Sequence, residues 1–587
     1  MKQKIYSEGT GKISFRGFPG IDLRYPLDGS RGAAVADNFR IGKDGSLTGR
    51  CGFGKKASFT GNVDGFADLD SGIYMCSDDR IFKIDRATGE ISGGEAKVLS
   101  NTGGRVGFFE LDGQVYVADG ASVKVYESGT TAKLSDMNGY APLVGKLWDP
   151  DKGGEPYEPE NLASNRVRIT YNVTTAANML YTGGFAPTSI DLIEHDGEEI
   201  DTSAISFNED SGTIEGPDGC FPVGIISVWM TIRQKPQNSS FSTVRNFAKA
   251  SAKGVDMIFA YGAAGYNGTA YPYIFSSRPV SDEDMEATER AYGNADRIYF
   301  PASGRFLANT GIYPVTGICP FDDRVLIFSE YGSLAFPFPF EGEPFPVQVS
   351  PFAGCANAYS FARLGGSVVS ASKSGLFLHT PDRESFDLFT VKRLSEPLGS
   401  GNIFPDSAGM SLYFSKLTDE IFIVGGGFQT GKTPVYSVGS GCFYTYSGFT
   451  PIFMLGCAGE NCFFDGTRFC GFSESRSYDT AQSSTAPAEI RKEYRSCLIP
   501  IADPGKVRRP SRIGLTAALD DSTATLKLLD AAGKTVSSHT LTGVQNVPYV
   551  SFSVRPARKR GSFFAVSLTS ESGTSARIFD LMLEAGE

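Results

Sequence analysis

The chain has 587 residues, of which 41 % are hydrophobic and 12 % aromatic, with 69 glycines and a formal net charge of -11. That length exceeds what one hydrophobic core can organise, so two to four domains are expected. An acidic balance argues against default binding to nucleic acid phosphates, because the cationic surface that would release counterions is lacking.

No stretch approaches the roughly 20 apolar residues that span a bilayer. Met1 to Glu8 begins with lysines but has no apolar run behind them, so no secretory signal and folding in a cytoplasm are expected. Almost everything that follows reads as short strands between turn signals.

The recurring unit is a hairpin. Phe108 to Asp119 is an apolar strand, an Asp112-Gly113 turn and a second apolar strand. Tyr74 to Ile84, Ile318 to Phe328, Phe361 to Leu378, Leu412 to Val424 and Cys462 to Cys470 repeat it. Hairpins of this kind stack as blades around an axis, which leaves only short protected strand edges. Blades take roughly 40–45 residues each, so the two hairpin-rich stretches, about 20–147 and 237–480, hold roughly six to eight. A β-sandwich array stays open on this pattern, since periodicity does not establish circular closure.

Between those stretches the pattern changes. Trp148 to Asn161 is rich in Pro, Gly and acids and reads as a linker. Arg166 to Val173 alternates cleanly, and Ile225 to Arg233 is a second strand. Residues 148–236 are therefore expected to form a small β-domain inserted in a propeller loop, a position that tolerates insertion because the ends stay close. Two helices are expected. One spans Ser281 to Ala291, with Ser281 and Asp284 as a capping box, and a shorter one lies near Val244 to Ala252. The division is thus 1–147 for an N-terminal segment and the first blades, 148–236 for the insertion, 237–484 for the remaining blades and 485–587 for a β-sandwich-like domain.

Signals for chemistry are sparse. His195, His379 and His539 each stand alone, without an acid or cysteine partner at catalytic spacing. No nucleophile elbow, phosphate loop or zinc-protease motif occurs. Cys457, Cys462 and Cys470 are the densest thiol group and read as small buried hydrophobes. Asp149, Asp151 and Glu155 lack the full calcium-loop pattern and read as a solvated linker. Neither a metal nor a cofactor is expected. Trp229 and nearby tyrosines suit sugar stacking or core packing equally.

From residue 485 onward 14 Lys/Arg face 10 Asp/Glu, a net of +4 that leaves -15 on the rest. Two basic runs hold much of it: Lys506 to Arg512, with Arg508, Arg509 and Arg512, and Arg555 to Arg560, with Arg555, Arg558, Lys559 and Arg560. They are candidates for contact with an acidic neighbour. Arg suits that role because its planar fork pairs carboxylates through two bonds. Solvated turns at Pro510 and Pro556 are the alternative.

Several phrases resemble the tail nozzle proteins of short-tailed bacteriophages, also called tail tubular or tail stabilisation proteins. The run Ala36 to Phe53 contains Asp37-Asn38-Phe39-Arg40, a Gly turn and Arg50-Cys51-Gly52. Asn294 to Gly304, continuing to Thr316-Gly317-Ile318 and Arg324 to Leu334, is the second match, and Arg560 to Val566 the third. The resemblance implies a homohexameric ring below the head–tail adaptor or portal-side protein. Such a ring makes a channel for DNA exit and offers surfaces for fibres or spikes, in a virion tail assembled in the host cytoplasm. It carries no catalytic signature, and it explains the insertion least well. A carbohydrate-binding tail or surface protein is the rival reading, with a propeller glycosidase third.

Overall fold

The computed structural model describes residues 12–586 apart from 25, 28–30, 60–62, 95–104, 128–132, 234–235, 264–272, 309–312, 383–387, 402, 406–408, 427–428, 467, 481–486, 503–504, 520–521, 545–548 and 571–575. Met1 to Glu8 lies outside them.

Positive φ marks the hairpin turns, at one residue in most and at two successive residues in some. Asp112 and Gly113 sit at 50° and 76°, Ala458 and Gly459 at 53° and 70°, Lys253 and Gly254 at 53° and 77°. Such turns match the right-handed twist of the strands that they join. Each expected hairpin forms an antiparallel pair. Second strands are buried on both faces, Arg324–Phe328 and Glu420–Val424 throughout, which is why they read as continuous apolar runs.

Six four-stranded antiparallel sheets result, with a seventh four-strand meander inside a larger sheet, among the described residues. The first two sheets are built from strands between Val63 and Gly93 and between Gly107 and Asp136. The next three run from Asn246 to Leu307, Gly317 to Ser350 and Phe361 to Arg393. The sixth is Ser411–Ser415, Glu420–Val424, Lys432–Ser437 and Cys442–Ser447. The seventh takes three strands from Phe453 to Ser473 and its fourth, Gly52–Ser58, from the other end of the chain. Hydrophobic clusters join each sheet to the next, and one built on Val63, Ile73, Phe453 and Phe464 joins the seventh to the first.

The blades were expected to begin near residue 20. Instead Ala33–Asp37 and Leu47–Gly49 pair with C-terminal strands, and Phe39–Ile41 pairs with Leu47–Gly49. Two sheets are built there. One holds Phe39–Ile41, Leu47–Gly49, Arg577–Gly586, Arg509–Ala518 and Val550–Val554, with Lys12–Arg16 paired to Arg577–Gly586. The other runs on from the sixth meander through Ala33–Asp37, Lys492–Ser496, Phe563–Ser570, Thr523–Asp530 and Thr535–Thr542. Their apolar rows, Ile513, Leu515 and Leu581 on one and Leu526, Leu528 and Val566 on the other, share a single core.

Residues from Leu143 to Ile232 form a five-stranded and a three-stranded sheet with their own core. Trp148 is no spacer. It is buried in that core, its Nε1 donates to the Glu155 carbonyl at 2.9 Å, and a Cβ on Gly145, Gly154 or Gly183 would come within 2.5 Å of its ring.

The helix Asp282–Tyr292 forms as expected, with the Asp284 amide donating to Ser281 Oγ at 3.2 Å. The second expected helix does not. Asn246–Ala252 is a strand that a Lys253-Gly254 turn folds back against Val255–Tyr261. There the ladder outweighs the helical preference of its Ala and Lys residues.

The junction of all these parts is Arg50, 1 % exposed. Its five N–H donors have five acceptors: Asn38 Oδ1 at 2.7 Å, both Asp479 oxygens at 2.8 and 2.6 Å, and the carbonyls of Ser447 and Cys51 at 2.8 and 3.0 Å. Rings of Phe53, Tyr446, Phe449 and Phe472 surround the guanidinium at 5.6–6.0 Å. Asn38, at φ 56°, also donates to Ser447 Oγ and the Arg491 carbonyl. At Gly52 a Cβ would lie 2.0 Å from the Tyr478 carbonyl oxygen. Lys492 lies in the same crowd, and burial together with the Arg50 charge pushes it down to about 8. Breaking a buried pair strands its other half, so Arg50→Met is expected to lower the unfolding free energy by about 3–5 kcal/mol. Urea denaturation measures it, and an Arg50→Met/Asp479→Leu double variant is expected to recover part of the loss.

Candidate functional site

The two basic runs, some fifty residues apart in sequence, meet at one end of the six-stranded sheet. Arg508 and Gly561 exchange two backbone hydrogen bonds of 3.0 Å, and Ser562 Oγ donates to the Lys506 carbonyl at 2.6 Å. The register Ile513↔Val554 puts the start of one strand beside the end of the other, so Arg508, Arg509 and Arg512 share this end with Arg555, Arg558 and Arg560. Arg512, Arg555, Arg558 and Arg560 are exposed, Arg508 and Arg509 half-buried. Val507, 56 % exposed, stands among them.

Not all of these charges face outward unpaired. Lys559 forms an ion pair with Asp530 and holds that carboxyl below its ordinary value. Arg512 Nε donates to Ser553 Oγ at 2.7 Å. Among the described residues Arg508, Arg509, Arg555, Arg558 and Arg560 form no ion pair. Sequence reasoning named these residues, but the backbone bridge that unites the two runs had no local signal.

A second feature is a cavity of about 710 Å³ among the first strands of sheets one to five. Most of its charged groups have partners. Glu110 accepts from the Ser71 amide and hydroxyl at 3.0 Å, Lys249 pairs with Asp70 at 3.4 Å, and Asp68 pairs with Arg86. The Arg245 guanidinium donates to the Arg105 carbonyl at 3.0 Å. The Glu110 and Arg245 contacts cross-link neighbouring sheets, and the Lys249–Asp70 pair links the third sheet to the first.

The residues weighed for chemistry are also engaged structurally. Asp149 Oδ1 accepts the Asp151 and Lys152 amides at 3.0 Å, which makes a turn. Trp229 is buried at 1 % and offers no face for sugar stacking. Burial pushes the Cys462 and Cys470 thiols up to about 12, away from the thiolate that a metal or nucleophile role requires. Among the described residues no three His, Cys, Asp or Glu side chains gather as metal ligands.

No family model matches the chain, and no curated protein does. Solved structures similar to it include the AfRom2 CNH domain, 9 % identical over 72 % of this chain and 99 % of that one, with a TM-score of 0.31. The Neurospora crassa Pan2 WD40 domain is 9 % identical over 73 % and 95 %, with a TM-score of 0.30. TmCBM61 in complex with beta-1,4-galactotriose is 15 % identical over 17 % of this chain and 65 % of its own length, with a TM-score of 0.14.

His379 is fully buried, 2.9 Å from Ser370 Oγ through Nε2, and burial pushes it down to about 3. An unfolded His takes up its proton near 6.5. Below that pH the unfolded chain binds a proton that the folded chain refuses, so stability falls as pH drops from 6.5 toward 3. Between pH 7 and 5 this group is expected to remove about 2 kcal/mol. Urea titrations at both pH values check it, since a His379→Gln variant should lack that increment.

Proposed function

We propose that this chain is a structural assembly protein rather than an enzyme, and that it builds a ring from identical subunits. The observation that carries this reading is the exposed basic end of the C-terminal sheets, where two separate runs are folded together around an uncovered Val507. Residues that drew chemical interest serve turns, cores and cross-links instead. In the same reading the seven sheets close as a seven-bladed propeller, with the strand Gly52–Ser58 completing the last blade. Residues 143–232 form an inserted domain beside the second and third blades.

The particular role is the nozzle of a short bacteriophage tail. The resemblance of Ala36 to Phe53 supports it, since Asn38, Arg50 and Gly52 of that phrase form the buried junction described above. The partners are then other copies in the ring, a head–tail adaptor and fibres or spikes, with genomic DNA passing through. Native mass measurement of the purified protein and of assembled tails is expected to give a closed oligomer, six by resemblance. A single copy per particle overturns the ring.

DNA must slide through such a ring without being held. Residues 1–484 carry a net of -15, which supports an acidic or neutral wall, because each phosphate neutralised by Lys or Arg adds counterion-release affinity. The assembled ring is expected to show no retention of duplex DNA at physiological salt. Tight binding with a steep salt dependence overturns this part.

A further inference from the structure

Charge is very unevenly placed along the chain. Residues 148–236 hold 15 Asp/Glu against 5 Lys/Arg, a net of -10 out of -11 for the whole protein. Much of it gathers at one tip of the insertion, where Pro187–His195 turns through Asp196-Gly197 into Glu198–Glu199, the outer strand of the five-stranded sheet. Asp196, Glu198, Glu199 and Asp201 are all exposed there.

Beside these carboxylates the tip shows uncovered apolar surface, Val223 at 59 % and Ile225 at 46 % exposure. The register places them together, since His195 lies opposite Glu198 on one side and Ile226 on the other. The tip is a fixed structure. Asp196 Oδ1 accepts the Ile225 amide at 3.0 Å, the Asp196 amide donates to the Ile225 carbonyl at 2.9 Å, and His195 Nε2 lies 3.0 Å from the Val223 carbonyl. Gly224, at φ 142°, has no room for a Cβ, which would meet the His195 ring at 2.4 Å.

The basic end of the C-terminal sheets is the counterpart in sign and in kind, a patch of arginines around an exposed valine. We propose that the acidic tip of one copy docks on the basic end of the next, with Val223 and Ile225 set against Val507 and the charges forming the rim. This rests on the ring reading above and names the two faces that build the ring. Tip-to-tip or end-to-end pairing would oppose like charges, which is strongly disfavoured at an interface. Head-to-tail contact satisfies both faces of every copy, and a heterologous contact of this kind closes into a ring when its rotation allows. Apolar surface at the centre supplies burial, and the charged rim steers and orients.

The test is reciprocal charge reversal. One variant carries Glu198→Lys, Glu199→Lys and Asp201→Lys, and the other Arg508→Glu, Arg509→Glu, Arg558→Glu and Arg560→Glu. Sedimentation velocity at low ionic strength is expected to show the concentration for half-assembly raised at least about tenfold for each alone. An equal mixture of the two, and a chain carrying both sets, are expected to assemble near the wild-type concentration, which also shows that the variants fold. Wild-type rings together with either variant assembling normally alone, or a mixture that stays monomeric, overturn the docking and leave the ring intact. Wild-type protein that is monomeric throughout overturns the ring and the docking together.

Discussion

One buried cation organises the molecule. Arg50 reaches Asp479 after the seventh sheet, Ser447 at the end of the sixth and Asn38 in the strand region that enters the C-terminal sheets. Placing an arginine in a nearly dry aromatic site costs several kcal/mol unless every donor is satisfied. Here all five are, so the site forms only when segments some four hundred residues apart have come together.

The N-terminal segment is bound into structure that the end of the chain completes. Gly52–Ser58 supplies the last strand of the seventh sheet, and the residues just before it enter the C-terminal core. A strand borrowed from the far terminus removes an open edge that would otherwise pair with other chains. The sixth meander continues directly into the C-terminal sheet through Ala33–Asp37, so the two regions share a core as well as a boundary. Glu420, buried at the start of that meander's second strand, accepts from Arg40 at 2.8 Å and adds a second tie across it.

This rigid frame gives the surface features their meaning. The insertion is anchored on strands and on the helix Asp282–Tyr292, where Tyr292 donates to Asp191 at 3.0 Å and the Arg166 guanidinium lies 4.0 Å from the Tyr292 ring. Its acidic tip is therefore carried on strands that the helix and its neighbours hold in place. The basic end is likewise set by paired strands.

Features that depend on neighbours in the chain are legible before any folding is considered. Asp112-Gly113 specifies a hairpin because few residue pairs tolerate positive φ twice running, and Ser281 with Asp284 caps a helix through contacts three residues apart. The basic runs and the excess acid of residues 148–236 were equally legible, being composition. Other features come from long-range packing. Asn246–Ala252 became a strand because a partner strand lay ready, Trp148 became a core residue because four-residue-scale pattern cannot show which glycines will pack on it, and residues 33–49 left the repeating sheets to join the chain's end. The union of Arg508 with Gly561, like that of Arg50 with Asp479, is a contact between segments whose separation in sequence carries no periodic trace, and only the packing of both into one fold brings them within hydrogen-bonding distance.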